Sequence, residues 1–269
     1  MMSRAFTCLI CLLAVLLGCG AGERGKPVLR LAVTTSVRDS GLLGAVLPAF
    51  AGAGERRVEV SAVGSGHALE LLRSGAADVA ITHSPADEAR ALDEGGAAAR
   101  TPFMRNTYVL VGPAEHAGVV AGAVDIRGAM RRIADSGHKF ISRADGSGTH
   151  ERERQLWQDI GVAPDSRFIR PVRGGMAQAL ELADREHAFT LSDRATFLAR
   201  RGDLGLAILF QSDAELDNTY AVLEPAPRPG VDPDGARAFV EFLRSDTGRS
   251  LIGSFGVDTF GEPLFAPVQ

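Results

Sequence analysis

The chain has 269 residues, with 29 Lys and Arg against 33 Asp and Glu and a formal net charge of −4. An acidic balance argues against general nucleic-acid binding, which needs excess basic charge to displace phosphate counterions. Hydrophobic residues make up 45% and charged residues 23%, so the composition is that of a folded globular protein rather than a disordered one.

The first element is a leader. Arg4 supplies a positive start, Ala5 to Leu17 is apolar with one Thr, and small residues follow. This pattern predicts a secretory signal over residues 1–18, too short and wrongly flanked for a membrane span. All three cysteines, Cys8, Cys11 and Cys19, lie here. The body therefore has no disulfide, no Cys-based metal site and no Cys nucleophile. Leu16-Leu17-Gly18-Cys19 resembles a bacterial lipobox. That resemblance makes Cys19 the lipidated N-terminus, residues 19–27 its tether, and the compartment periplasm or cell surface.

The body begins near Val28. Val28 to Val33 reads as a strand ending in Thr34-Thr35-Ser36, with a helix expected from about Asp39. Val58 to Val63 is a second strand, ending in Gly64-Ser65-Gly66 before a helix with Leu69 and Leu72. Asp78 to Thr82 is a third. Strands alternating with amphipathic helices predict an α/β fold with a largely parallel sheet. Asn106 to Pro113 is a long strand whose opening Asn-Thr-Tyr recurs at Asn218-Thr219-Tyr220. A second α/β block lies between: a strand Lys139 to Ser142, a helix through Trp157, a strand near Ser166 to Ile169 and a helix Met176 to Ala183. The tail from Asp234 to Phe255 reads as helix. Two lobes are expected, residues 28–107 with 220–269 and residues 108–219, joined by two crossovers.

The chemistry lies in a recurrence. Four times a strand ends and a Gly/Ser/Thr cluster opens a helix: Thr34-Thr35-Ser36, Gly64-Ser65-Gly66, Asp145-Gly146-Ser147-Gly148-Thr149 and Arg173-Gly174-Gly175. Helix starts present unpaired N–H groups and partial positive charge, hydroxyls add donors, and glycine allows close approach. One such cluster is an ordinary cap; four at strand carboxyl ends mark where open α/β sheets bind ligands. Arg143 precedes the strongest cluster, and its planar guanidinium suits an oxyanion. Asp145 is placed to hold it, or to form only a surface pair with it.

These blocks resemble the tungstate-binding components of ABC importers, within the class II periplasmic binding proteins. The resemblance rests on Thr34-Thr35-Ser36 with Asp39-Ser40-Gly41, Val63-Gly64-Ser65-Gly66, Ala77-Asp78-Val79, Ser142-Arg143 through Ser147-Gly148-Thr149-His150, Gly175-Met176 and Thr190-Leu191-Ser192-Asp193-Arg194. It implies a two-lobed fold with a ligand cleft between the lobes. It also implies a tetrahedral oxyanion, tungstate ahead of molybdate, held by Thr35, Ser36, Ser65, Arg143, Ser147, Gly148 and Thr149. Arg173 stands where that family is usually neutral and adds a second cation. A membrane permease is the implied partner, and a monomer with no cofactor and no chemical step is expected.

Arg143 to Thr149 also resembles the phosphate binders of the same superfamily. Phosphate keeps a proton near neutral pH and profits from a carboxylate acceptor, which repels a fully deprotonated anion. Thr82-His83-Ser84, where such an acceptor is expected, has no acid; Asp39 and Asp145 remain alternatives. An oxyanion sensor on the same fold is the rival of another class. No close His pair suggests zinc, and Ser147, Asp145 and His150 lie too close in sequence for a hydrolase triad. His150 is expected to help cap its helix, His150 to Arg154 to be a solvated first turn, and Trp157 to be core.

Overall fold

The computed structural model describes residues 27–53, 56–211 and 214–268. The leader and Cys19 lie outside the described residues. Among the described residues no helix is long and apolar enough to cross a membrane.

In chain order the elements are β1 (Val28–Thr34), α1 (Thr35–Ser40), α2 (Leu42–Gly52), β2 (Arg57–Val63), α3 (Ser65–Ser74), β3 (Val79–Thr82), α4 (Pro85–Asp93) and β4 (Ala97–Pro113). There follow α5 (Ala117–Val120), α6 (Ile126–Ser136), β5 (Phe140–Ser142), α7 (Gly148–Asp159), β6 (Ile169–Pro171), α8 (Gly175–Arg185), β7 (Phe189–Asp193) and α9 (Arg194–Arg200). The chain ends with β8 (Leu206–Phe210), β9 (Asp217–Pro225), α10 (Pro233–Arg244), α11 (Asp246–Ser254), α12 (Val257–Phe260) and β10 (Ala266–Pro267).

The α/β architecture expected from the alternation is observed. The strand order is β2-β1-β3-β9-β4-β7-β5-β6, with β8 and β10 also on β4. The outer strands are parallel: β1 with β2 and β3, and β5 with β6 and β7. The middle is antiparallel, because β4 and β9 run against each other and against β7 and β3. The sheet is therefore mixed rather than largely parallel. β4 changes partner along its length: Ala97 to Thr107 pair with β9, and Tyr108 to Val111 with β7. The repeated Asn-Thr-Tyr segments meet at that change, with Asn106 opposite Asn218.

Three boundaries differ from the pattern. The first helix starts at Thr35, directly on the strand end, and Gly41 in the left-handed region (φ 84°) breaks it before α2. The strand expected near Ser166 to Ile169 sits at Ile169–Pro171. The tail helix divides at Ser245, whose backbone is extended and whose hydroxyl accepts from the Gly248 N–H to cap α11.

One apolar cluster contains Leu31, Val33 and Val37 together with Ile141, Met176, Leu180 and Phe197, so it runs across both strand groups. Another sits under β5 and β7, with Trp157 edge-on to Phe140 and Phe168. These clusters fix the carboxyl ends of β1, β2, β5 and β6, and with them the four helix starts.

Candidate functional site

All four Gly/Ser/Thr clusters open helices: α1 at Thr35, α3 at Ser65, α7 at Gly148 and α8 at Gly175. They come together from opposite ends of the sheet. A side chain on Gly64 would lie 3.3 Å from the Asp145 carbonyl, which places the start of α3 against that of α7. Gly175, at φ 86°, faces Thr35, with its Cβ position 3.6 Å from Thr35 Oγ1. The start of α7 also presses on β3. A Cβ on Gly148 would fall 2.2 Å from the His83 carbonyl oxygen and 2.7 Å from its Nδ1, so only glycine fits.

Three of these four starts carry no side-chain cap. Only Ser147 caps in the ordinary way, accepting from the His150 N–H at 3.3 Å. Ser36, Ser65, Ser147 and Thr149 are all buried. The hydroxyls of Ser65 and Thr149 have no hydrogen-bond partner at all. A buried unpaired hydroxyl costs free energy comparable to a lost hydrogen bond, and here two occur at neighbouring helix starts. Thr35 is half-buried, and Gly148 is buried.

Arg143 is 1% exposed at the end of β5. Its Nε and Nη2 both donate to Asp145 Oδ2, at 3.1 and 2.5 Å, and Nη1 donates to the Met176 sulfur at 3.3 Å. Asp145 therefore holds the guanidinium. Between the pair, Ala144 takes a left-handed φ of 42°, the turn that lets the two side chains face each other. Burial opposes ionisation of Asp145, but Arg143 and the Ser147 hydrogen bonds outweigh it and keep its carboxyl below the usual range. The Arg173 side chain is exposed, on the loop before α8. Asp39 pairs with its neighbour Arg38.

Several side chains at this centre carry no local signal in the sequence. His83 is 2% exposed. Its Nδ1 lies 2.9 Å from Asn218 Oδ1 and 3.0 Å from the Tyr108 hydroxyl, its Nε2 lies 3.4 Å from Ser36 Oγ, and its ring stacks on Tyr220. Asn218 Nδ2 donates to Asn106 Oδ1 and Tyr220 Oη, so its oxygen faces His83 and the imidazole proton sits on Nδ1. Burial pushes His83 down to about 4, against the hydrogen bond with Asn218, so the ring is neutral at pH 7. Asn106 Nδ2 in turn donates to Asp193 Oδ1 at 3.4 Å. A buried polar chain thus runs Ser36–His83–Asn218–Asn106–Asp193, across the line where β4 changes partner.

Glu153 corrects the expectation of a solvated first turn from His150 to Arg154: it is 2% exposed and accepts from the Arg143 backbone N–H at 3.1 Å. Burial pushes its carboxyl up to about 7, against hydrogen bonds from Ser142 and Arg143. His150 braces the loop from its other side, its Nδ1 accepting from the Gly146 N–H at 3.0 Å. At the end of β3 the carboxylate absent from Thr82-His83-Ser84 is supplied by Glu88. It accepts from the Thr82 hydroxyl and the Ser84 N–H and pairs with Arg100 at 2.6 Å, which leaves it fully engaged. Two surface hollows, of about 650 and 470 Å³, are lined by Leu43, Leu47 and Val60 and by Phe197, Leu206 and Ile208; neither includes a residue of the helix starts.

Helix starts that converge from two strand groups on buried, unsatisfied hydroxyls form the architecture of a solute-binding protein. The chain belongs to the PBP superfamily, whose domain model matches residues 21–247. It is 38% identical to the tungstate-binding protein TupA of Peptoclostridium acidaminophilum, over 97% of this chain and 96% of that protein. Among solved structures it is similar to the tungstate ABC transporter protein of Geobacter sulfurreducens, with a TM-score of 0.78 and 35% identity over 85% of this chain and 98% of that one. It is also similar to the tungstate-binding protein TupA of Desulfovibrio alaskensis G20, with a TM-score of 0.75 and 33% identity over 90% and 99%.

Proposed function

We propose that the chain is a lipid-anchored, extracytoplasmic solute-binding protein of an ABC importer, and that its ligand is a tetrahedral oxyanion, tungstate first and molybdate second. The observation that carries this reading is the pair of buried, unpartnered hydroxyls on Ser65 and Thr149, at the neighbouring starts of α3 and α7. A dianion with only acceptor oxygens satisfies such donors, and a protein-ligated cation does not. The similarity to tungstate-binding relatives supports the same reading.

In this reading Ser36, Ser65, Ser147 and Thr149 offer hydroxyls, Thr35 and Gly148 offer helix-start N–H groups, and Arg143 supplies the charge. The two guanidinium N–H groups not engaged by Asp145 and Met176 face the ligand. Arg173 stays outside. The lobes, residues 28–107 with 220–269 and residues 108–219, close about the Asn106–Asn218 crossover, and the closed form is what a permease receives. No chemical step is part of this function.

Isothermal titration of the apo protein against tungstate, molybdate, sulfate and phosphate tests the ligand. Tungstate and molybdate bind tightly and phosphate weakly; tight phosphate binding with no tungstate response reverses the assignment. Cys19→Ala tests the anchor, and fatty-acid labelling and membrane fractionation are both lost if Cys19 carries it.

A further inference from the structure

We propose that Asp193 sets the protonation state in which this centre accepts an oxyanion: its unheld oxygen donates a hydrogen bond to a fully deprotonated dianion when the carboxyl carries a proton, and repels that dianion when it does not. The inference rests on the oxyanion reading above and adds a specificity-determining residue to it.

Asp193 ends β7 directly opposite Tyr108 of β4, and directly opposed residues of paired strands project from the same face. Tyr108 reaches His83 at the start of α7. One carboxyl oxygen of Asp193 is committed: Oδ1 accepts from the Thr196 N–H at 2.9 Å, capping α9, and from Asn106 Nδ2. The other, Oδ2, is buried and has no partner, in a residue with no solvent exposure. Helix α9 packs on α1, and Thr196 Oγ1 donates to the Ser36 carbonyl at 3.4 Å. The residue with the unpaired carboxyl oxygen is therefore linked through Thr196 to Ser36 of the first hydroxyl cluster.

The charged and titratable groups facing Asp193 are Arg143 at the end of β5, Tyr108 on β4 and Tyr220 on β9. Asp145 lies behind Arg143 and already draws on its charge. Burial raises the Asp193 carboxyl, while the Thr196 N–H and Arg143 pull it back. A dianion arriving beside Arg143 competes for the same positive charge, so the ionised carboxylate loses its compensation and takes up a proton. The proton on Oδ2 then gives the dianion a donor. A monoprotonated anion such as hydrogen phosphate reverses the arrangement, because ionised Asp193 accepts the ligand's own proton. Selectivity between the two anions becomes a function of pH.

The sign follows from linkage. Above the pKa of free Asp193, tungstate affinity falls as pH rises, by at most tenfold per unit, with uptake of at most one proton. Glu153 is the competing source, since it is also buried and touches Arg143 through the backbone.

The test is calorimetric titration of wild type, Asp193→Asn and Glu153→Gln with sodium tungstate between pH 6.5 and 9, in buffers of differing ionisation enthalpy. Asparagine keeps the α9 cap and is a permanent donor. Wild type takes up a fraction of a proton and weakens with pH. Asp193→Asn loses most of that uptake and slope, holds tungstate at least as tightly at pH 9, and shifts tenfold or more toward tungstate over phosphate. An unchanged slope in Asp193→Asn overturns the inference, as does a slope that disappears only in Glu153→Gln. A wild type that binds tungstate without proton uptake overturns it whatever the variants do. A wild type that binds none of the four anions overturns the oxyanion reading itself.

Discussion

At the scale of single residues, Arg143 and Gly148 are two positions of the site where the geometry leaves little freedom. Arg143 has two N–H groups left for a ligand once Asp145 and Met176 are served. Hydrogen bonds to charged groups contribute about 1.5–3 kcal/mol each, so Arg143→Ala is expected to weaken tungstate about 10²–10⁴-fold. Arg143→Lys keeps the charge without the planar fork and falls between. Arg173→Ala is expected to bind as wild type does, because that side chain is exposed. Titration of the three variants checks the order, and loss of binding in Arg173→Ala alone refutes it. Gly148→Ala places a methyl group 2.2 Å from a backbone oxygen of His83. A backbone atom cannot move aside as a side chain does, so the start of α7 has to back away from β3. At least a tenfold loss of affinity is expected with the far-ultraviolet spectrum unchanged.

At the scale of elements, helix starts divide into those the protein caps for itself and those it leaves open, and the two kinds respond oppositely to loss of a hydroxyl. Ser147→Ala removes the cap of α7 and is expected to cost about 1 kcal/mol of apo stability. Ser65→Ala removes a buried hydroxyl without a partner, so apo stability is expected to stay level or rise. Its tungstate-induced rise in Tm shrinks all the same, since a ligand that binds only the folded state stabilises by mass action. Thermal melts with and without tungstate separate the two; a destabilised apo Ser65→Ala contradicts the account. The four starts are legible in the sequence because each lies between an apolar strand run and a Gly/Ser/Thr cluster, a purely local signal. Glu153 is not legible as a member of this centre, and His83 and Asp193 lie in stretches the sequence marks without their contacts being legible. Glu153 sits in a run of alternating charge whose local reading is a solvated turn, and Asp193 enters the sequence reading only within the Thr190-to-Arg194 stretch. Their burial comes from strands and helices far away in sequence, such as β4 and β9 folding back across one another. The Asn-Thr-Tyr repeat is visible in the sequence, but only the antiparallel register shows its two copies meeting at the crossover.

At the scale of the whole molecule, two buried titratable groups tilt stability in opposite directions over the same pH range. His83 moves from an ordinary value near 6.5 down to about 4. Its contribution is complete above 6.5 and is lost as pH falls toward 4, because the unfolded chain binds a proton that the folded one refuses. Glu153 moves from 4.5 up to about 7. Its contribution is complete below 4.5 and is lost as pH rises through 7, because the folded chain then holds an ionised carboxylate in a buried setting. At 1.36 kcal/mol per unit, each shift amounts to on the order of 3 kcal/mol. Between pH 4.5 and 6.5 the two therefore offset one another. Glu153→Gln removes one side of the balance and leaves the His83 side intact. Relative to wild type the variant is expected to gain stability steadily from pH 4.5 to 7, by on the order of 3 kcal/mol in all, and to hold that gain at higher pH. Melting curves of both proteins at half-unit steps from pH 4.5 to 8.5 measure the difference directly. Parallel curves across that range would show that Glu153 ionises in the folded protein as it does in water, and that its contact with the Arg143 backbone stabilises the carboxylate as fully as solvent.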